Sequence, residues 1–390
     1  MNDNSAYEKD FAAALARLRH WFCETALPLW AAHGYDDARG GFYEALTFDA
    51  APSFSRPRRT RTQARQIHVF SQAALRGWNP NAEAIAVKGF DFFLNHACPN
   101  AGARGCVHRL SYDGAVLDDR RDLYDQAFLL LACASHWQAV QDDRALALAD
   151  RTLAFIDSEL SSPHGGWLES DQNELPRRQN PHMHLFEAFM ALFAATRNGQ
   201  YFDYARHIID PCFSAFYDQA NGVIHERFDE TLNHNNLDRR IEPGHMFEWV
   251  WLLSRFEALS TEDYGAERSV LYRQGASIGE DLTFHGFVNN EVEVSKQPVA
   301  GAKRLWPQTE YLRACLVQAA NGDATASARA AKLIDAMFGT YLKVDRAGLW
   351  IDEFDRHGAA IAQDVPASIV YHLLEAVIAA ETYLSKRKCA

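Results

Sequence analysis

The sequence has no Cys-x-x-Cys pair. Its seven cysteines, Cys23, Cys98, Cys106, Cys133, Cys212, Cys315 and Cys389, are odd in number and widely scattered. That argues against a disulfide framework or a cysteine zinc cluster and leaves them, for the most part, as small buried hydrophobes. No apolar run approaches the roughly 20 residues of a membrane span. The first residues, MNDNSAYEKDF, are polar and acidic where a signal peptide is basic and then apolar, so a soluble, cytoplasmic protein is expected. Positive charge is in deficit, with 39 Lys and Arg against 51 Asp and Glu for a net −12, which disfavours nucleic acid or an anionic membrane as partner. Also missing are a Walker A loop, a G-x-G-x-x-G turn after a strand and a G-x-S-x-G elbow. What remains is a small-molecule partner with no cofactor.

Helical periodicity is abundant. Twelve apolar-rich segments lie near 8–31, 63–78, 82–96, 122–139, 144–159, 182–197, 201–217, 245–259, 263–280, 307–320, 324–342 and 366–386. Between alternate segments stand short glycine-containing stretches rich in aromatic and β-branched residues: GGFYEAL, RGCVHRLSYDGAVL, GGWLES, NGVIHERFDE, HGFVNNEVEV and GLWIDEFDRHG. Each reads as a short strand or hairpin, with Asp113-Gly114 an explicit turn signal. The glycines Gly41, Gly105, Gly166, Gly222, Gly286 and Gly348 recur about every sixty residues, an internal repeat of helix, hairpin-like loop and helix. No such unit buries its apolar face alone. An open stack would need polar end helices, yet the first (FAAALARLRHWF) and last (SIVYHLLEAVIAAETYL) are both apolar-striped. The expectation is therefore closure of the whole chain, 1–390, into one all-α (α/α)6 barrel with hairpin loops at one mouth.

Segments such as HMFEWVWLLSRF are apolar nearly all round, as an inner ring requires, and Pro181, Pro243, Pro307 and Pro366 suit their first turns. The first-turn polar residues would then line the mouth: Arg65, Tyr124 and Asp125, His184 and Glu187, His245 and Glu248, Trp306 and Glu310, His372 and Glu375. A His-x-x-Glu pair shares one helix face, and the spacing occurs three times. Histidines, carboxylates, an arginine and aromatics suit a polyhydroxylated ligand, a sugar, with aromatic faces on its C–H surfaces. A lone histidine at a helix start is more often structural, but several at equivalent positions of one ring are costly to bury without a use. His182 would face away as a structural residue, and for Glu375 a helix-dipole role is preferred. No metal is expected: di-metal carboxylate bundles use Glu-x-x-His, the reverse order, in mid-helix. Of the arginines in SRPRRTRTQAR, most (Arg56, Arg58, Arg59, Arg61) are expected as solvated loop charges, with Arg65 the exception.

TQARQIHVF, NPHMHLFEAF, PGHMFEWVWLL, RLWPQTEYLRA and VYHLLEA resemble motifs of the N-acylglucosamine 2-epimerase superfamily, which includes mannose isomerase, sulfoquinovose isomerase and cellobiose 2-epimerase. The resemblance runs from about residue 20 to 385 and implies an (α/α)6 barrel. It further implies that His245 and His372 are the acid/base pair, that His184 contacts or helps open the sugar ring and that Arg65 binds substrate oxygens. Glu248 and Glu310 match supporting carboxylates, Trp306 a sugar-stacking position and Asn180 a ligand-lining one. Glu248 would orient His245. The PGH-x-x-EW form is closer to the isomerase branch, while NLDRRIEPGH, with Arg239 and Arg240, departs from the sulfoquinovose isomerase spacing. The expected reaction is aldose–ketose isomerisation of mannose-type sugars, mannose to fructose, through a cis-enediol(ate), with 2-epimerisation as the alternative. An inverting glycoside hydrolase, which needs two spaced carboxyl groups, and a helical-repeat scaffold are weaker readings because neither uses three histidines. A homodimer is compatible with the amphipathic outer helices.

Overall fold

The computed structural model describes residues 3–209, 213–234 and 239–389, without the side chains of 3–8 and 387–389; Cys212 lies outside the described residues. Two concentric rings of helices build the fold. The inner ring is α2 (Thr60–Leu75), α4 (Leu123–Val140), α6 (Gln179–Thr196), α8 (Pro243–Glu257), α10 (Leu305–Ala320) and α12 (Ile369–Cys389). The outer ring is α1 (Asp3–Trp21), α3 (Ala82–Phe92), α5 (Asp143–Glu159), α7 (Gly199–Ile208), α9 (Gly265–Gly279) and α11 (Ala324–Gly339). Each inner helix packs on the inner helices before and after it, and α12 returns to α2, so the ring is closed. This is the (α/α)6 barrel expected from the sixty-residue repeat.

Sequence texture decides which ring a helix joins. In α8 every residue from Pro243 to Val250 is buried, and in α10 every residue from Pro307 to Gln318. Outer α5 buries Ala145, Leu148, Ala149, Thr152, Leu153 and Ile156, an i, i+3, i+4 stripe facing inward. Start signals differ too. Asp142, Asn198 and Asp323 cap outer helices with their own side chains, as N-cap residues commonly do. Inner helices α2, α6, α8 and α10 start after Arg59, Arg178, Glu242 and Arg304, none of which supplies a side-chain cap. Of the four prolines, Pro243 opens α8 and Pro181 and Pro307 fall in first turns, but Pro366 belongs to the strand Val365–Pro366 just before α12.

The hairpin loops pair with one another around the mouth, all antiparallel. Arg58 faces Leu110, Asp122 faces Ser170, Arg177 faces Phe228, Arg240 faces Glu293 and Lys303 faces Phe354, while Leu46 with Val365 joins the last loop to the first. Closure is reinforced by α1, which packs on α11 and α12. After a π-helical turn it continues as Leu27–His33, where Trp30 stacks on Trp350 of the last hairpin loop with ring centroids 5.2 Å apart. Both indoles are fully buried. The cysteines at 23, 98, 106, 133 and 315 are buried free thiols. Among the described residues no helix is long and apolar enough to cross a membrane.

Trp350→Ala removes half of the stack that joins the two ends of the chain. It is expected to lower stability by about 3–5 kcal/mol, the usual cost of truncating a buried aromatic. A urea unfolding curve against wild type checks this.

Candidate active site

The N-terminal ends of the inner helices converge on a cavity of about 200 Å3 at the mouth. Arg65, Tyr124, Asn180, His184, His245, Glu248, Trp306 and His372 all line it. Trp306 stands between two histidines, its ring centroid 5.1 Å from that of His245 and 5.5 Å from that of His372. The approach depends on Gly244, where an added Cβ would lie 2.6 Å from Cη2 and Cζ3 of the Trp306 indole. Across the cavity His184 packs on Phe128 and Tyr124. Arg65 gives a hydrogen bond of 2.8 Å to the Tyr124 hydroxyl, and its guanidinium carbon sits 4.0 Å above the Phe128 ring.

Four expected lining residues are turned elsewhere. Asp125 is fully buried behind the wall, held by His108 Nδ1 at 2.6 Å and Arg61 at 3.1 Å. Glu310 lies beneath His372, with Oε1 2.8 Å from its Nδ1, and is held from below by Arg313. Glu187 and Glu375 open onto a separate cavity at the far end of the barrel. Helical spacing fixes how residues are separated around a helix, not which way the shared face is rotated. His182, as expected, is structural: Nε2 accepts from the Trp167 N–H at 3.0 Å, and burial pushes its pKa down to about 4.

The orientation of His245 corrects another expectation. Its Nδ1 bonds Glu226 Oε2 at 2.9 Å, whereas neither Glu248 oxygen has a hydrogen-bond partner. Glu226 escapes a reading of helix starts because it sits in a hairpin loop, yet the repeat carries a signal. Glu44 in GGFYE and Glu169 in GGWLE hold corresponding places, and each accepts the backbone N–H of the residue just before the next inner helix while pairing with its side chain: Glu44 with Arg59, Glu169 with Arg178. In the fourth unit that residue is Glu242, so Glu226 has no arginine there and turns to His245. Gln179 Nε2, 3.0 Å from the same oxygen, fixes it further.

The arginines also differ from expectation. Arg59, Arg61 and Arg304 line the cavity, paired with Glu44, Asp125 and Asp352. Arg58 is completely buried on Asp36, and only Arg56, paired with Asp364, is substantially exposed. Arg239 and Arg240 do not line the cavity.

Electrostatics separates the two histidines flanking Trp306. Burial alone would depress His245, but Glu226 and then Glu242 overcome it and raise its pKa to about 10. Burial, with the nearby cations Arg65 and Arg313, pushes His372 well below the usual range. Burial next to Glu310 and Glu187 pushes the Glu248 carboxyl well above the ordinary carboxylate range. Two groups at the cavity bring metal-type donors together, His184 with Glu187 and Glu248, and Glu226 with Glu242 and His245. Arg313 already offsets the carboxylate charge of the first, and the His245 cation that of the second.

The N-acylglucosamine 2-epimerase (GlcNAc 2-epimerase) family model matches residues 41–376. The chain belongs to this family. Its members, sugar isomerases and epimerases, include the mannose-6-phosphate isomerase of Rhizobium meliloti (strain 1021), 32% identical over 399 residues that span 97% of this chain and 99% of the relative. A crystal structure of a D-mannose isomerase superposes with a TM-score of 0.85 at 22% identity, covering 93% of this chain and 97% of the other. Cellobiose 2-epimerase from Spirochaeta thermophila gives 0.86 at 23%, covering 96% and 98%. At these identities the superpositions establish the shared barrel.

Gly244→Ala is expected to displace Trp306 from between the histidines and to lower kcat/KM on the order of 10²-fold, as an ångström-scale misplacement does. Melting temperature should hold, because alanine favours the helix by about 1 kcal/mol over glycine. Steady-state kinetics with a melting curve checks both.

Proposed function

We propose that the protein is an aldose–ketose isomerase acting on a mannose-type sugar, with His372 as the base and His245 as the acid. One observation carries this reading: two imidazoles flank one aromatic platform in a single cavity, and their surroundings push their protonation states apart. Such divergence is how acid and base roles are divided at one pH. Neutral His372, its Nδ1 on Glu310, keeps Nε2 free to take the C2 proton. As the C2–H bond breaks, its electrons form C1=C2, and O1 takes the proton of His245. The cis-enediol then gives its O2 proton back to His245 while His372 returns a proton to C1, which restores both residues. Arg65 faces the developing oxygen charge, and Glu248, whose raised pKa favours the protonated form, can then donate to a sugar oxygen. Trp306 supplies the stacking surface.

An uncharged sugar is favoured over a 6-phosphate. Arg59, Arg61 and Arg304 around the cavity are each matched by a carboxylate, so none of these three stands ready for a dianion, and Arg65 alone would have to meet it. The relatives named D-mannose isomerase support the uncharged aldose, whereas the Rhizobium meliloti relative is named for its 6-phosphate. Proton NMR with D-mannose in D2O tests the reaction. Fructose carrying solvent deuterium at C1 is expected, glucose deuterated at C2 would make the protein a 2-epimerase, and a strong preference for mannose 6-phosphate would refute the charge argument.

The pH profile follows from the two shifts. The base must be neutral, so kcat/KM in the free enzyme rises through a His372 pKa below 6.5, the ordinary value for histidine. The acid must be charged, so activity falls only as pH rises through about 10. Glu226→Gln removes the largest charge supporting the imidazolium and should move the alkaline limb toward neutrality while the acid limb stays. An unmoved alkaline limb would refute the assignment of His245 as acid.

A further inference from the structure

At the end of the barrel opposite the mouth, the C-terminal halves of the inner helices enclose a second cavity of about 280 Å3, whose polar lining includes His68, Gln72, Arg76, Glu187 and Glu375. A thin buried layer separates it from the sugar cavity, and at one place that layer is a single hydrogen bond thick. Glu187 lines the basal cavity, and its Oε2 is 3.0 Å from Nδ1 of His184, which lines the sugar cavity. The Tyr371 hydroxyl lies 2.6 Å from both Glu187 oxygens and fixes the carboxylate from α12. Titratable and charged groups bear on Glu187 from its own helix, His184, and from the others, Glu248 on α8, Arg313 on α10 and Glu375 on α12. Proton transfer between sugar, His372 and His245 uses neither Glu187 nor the basal cavity.

We propose that Glu187 relays protons between His184 and water in the basal cavity, so that the site exchanges a proton with solvent while a bound sugar closes the mouth. The inference rests on the isomerase reading of the same site. A ring-closed aldose must lose the proton of its anomeric hydroxyl and gain one on its ring oxygen before C2 can be enolised. In the outward passage the anomeric O–H bond breaks as His184 Nε2–H forms. The Nδ1–H bond then breaks as a Glu187 O–H bond forms, and Glu187 gives the proton to basal water. The anomeric oxygen forms C1=O and expels the ring oxygen as an alkoxide, and the inward passage returns one proton to that oxygen. No net proton is consumed. Glu187 acts through His184 and is a positioning and relay residue, not one that touches sugar.

The neighbouring path does not serve. His372 leads through Glu310 to Arg313 and on to Glu375 and His68, but a guanidinium, which stays protonated, interrupts proton passage. That file fixes charge; the Glu187 file can carry protons.

The test compares wild type, Glu187→Gln and Glu187→Ala on D-mannose, with sodium formate added to each. Glu187→Gln keeps the size and hydrogen-bonding reach of the side chain but takes no proton. It should lower kcat by about 10²-fold, the usual scale for losing a proton-transfer group, with KM unchanged because Glu187 does not line the sugar cavity. Formate should restore turnover to Glu187→Ala and not to Glu187→Gln, where the space is filled. Ala191, one turn further along α6, also lines the basal cavity, and adding Ala191→Leu to Glu187→Ala should abolish the rescue. A wild-type kcat in Glu187→Gln, a folded Glu187→Ala that formate does not restore, or rescue that survives Ala191→Leu would each overturn the relay. Should Glu187→Ala fail to fold by circular dichroism, the kcat of Glu187→Gln decides alone. Wild-type turnover in the same assay tests the isomerase reading separately, because the relay is read from the ratio of variant to wild type.

Discussion

Six helices aim their N-terminal ends at one cavity, and the rest of the site answers that constraint. A helix N-terminus presents backbone N–H groups without intrahelical partners and the positive end of the helix dipole. Four of the six inner helices lack a capping side chain of their own, and the hairpin loops supply acceptors instead: Glu44, Glu169, Glu226 and Asn290 each take the N–H of the residue at a helix start. The mouth is therefore ringed with carboxylates for a structural reason. Where the helix start is an arginine, the carboxylate is neutralised on the spot. Where it is Glu242, Glu226 is left to charge a histidine. The acid of the proposed reaction thus arises where Glu242 stands in the place that Arg59, Arg178 and Arg304 hold before other inner helices.

Beneath the cavity the same ring holds a dense set of ionisable groups. Glu187, Glu248, Glu310, Arg313, His184 and His372 are buried in the barrel's core, with Glu375 partly buried beside them. Burying unpaired charge is costly, and the fold limits it in two ways. Fully buried Arg313 pairs with Glu310 at 2.6 Å and with Glu375 at 3.4 Å. Burial also raises Glu248 far above the ordinary range and Glu310 to about 7, so fewer charges coexist. The cationic guanidinium that compensates these carboxylates also helps keep His372 neutral, which ties the stability of the core to the state of the proposed base.

The sixty-residue period makes the barrel legible in the sequence, because helix texture and hairpin glycines repeat in register with the fold. His184, His245, Trp306 and His372 can be placed at one mouth for the same reason. Rotation about each helix axis is not encoded so locally, so Asp125, Glu187, Glu310 and Glu375 are expected in the cavity when two lie behind or beneath its wall and two open to the far end. Nor do the arginines of SRPRRTRTQAR sort themselves by sequence: Arg58 is fully buried only because Asp36, twenty-two positions earlier, closes on it at 3.2 Å. Glu226 is within reach of the sequence. Aligning the hairpin loops by the glycines Gly41, Gly166 and Gly222 brings it within one residue of the places of Glu44 and Glu169, and the missing arginine at 242 marks the exception.

The central claim is that His245 and His372 stand in opposite protonation states before substrate arrives. Nitrogen-15 NMR of the histidine-labelled protein at neutral pH, assigned with single His→Gln variants, measures this directly. The account predicts that both ring nitrogens of His245 carry protons and that one nitrogen of His372 is bare. A neutral His245 or a doubly protonated His372 in the free protein would contradict it.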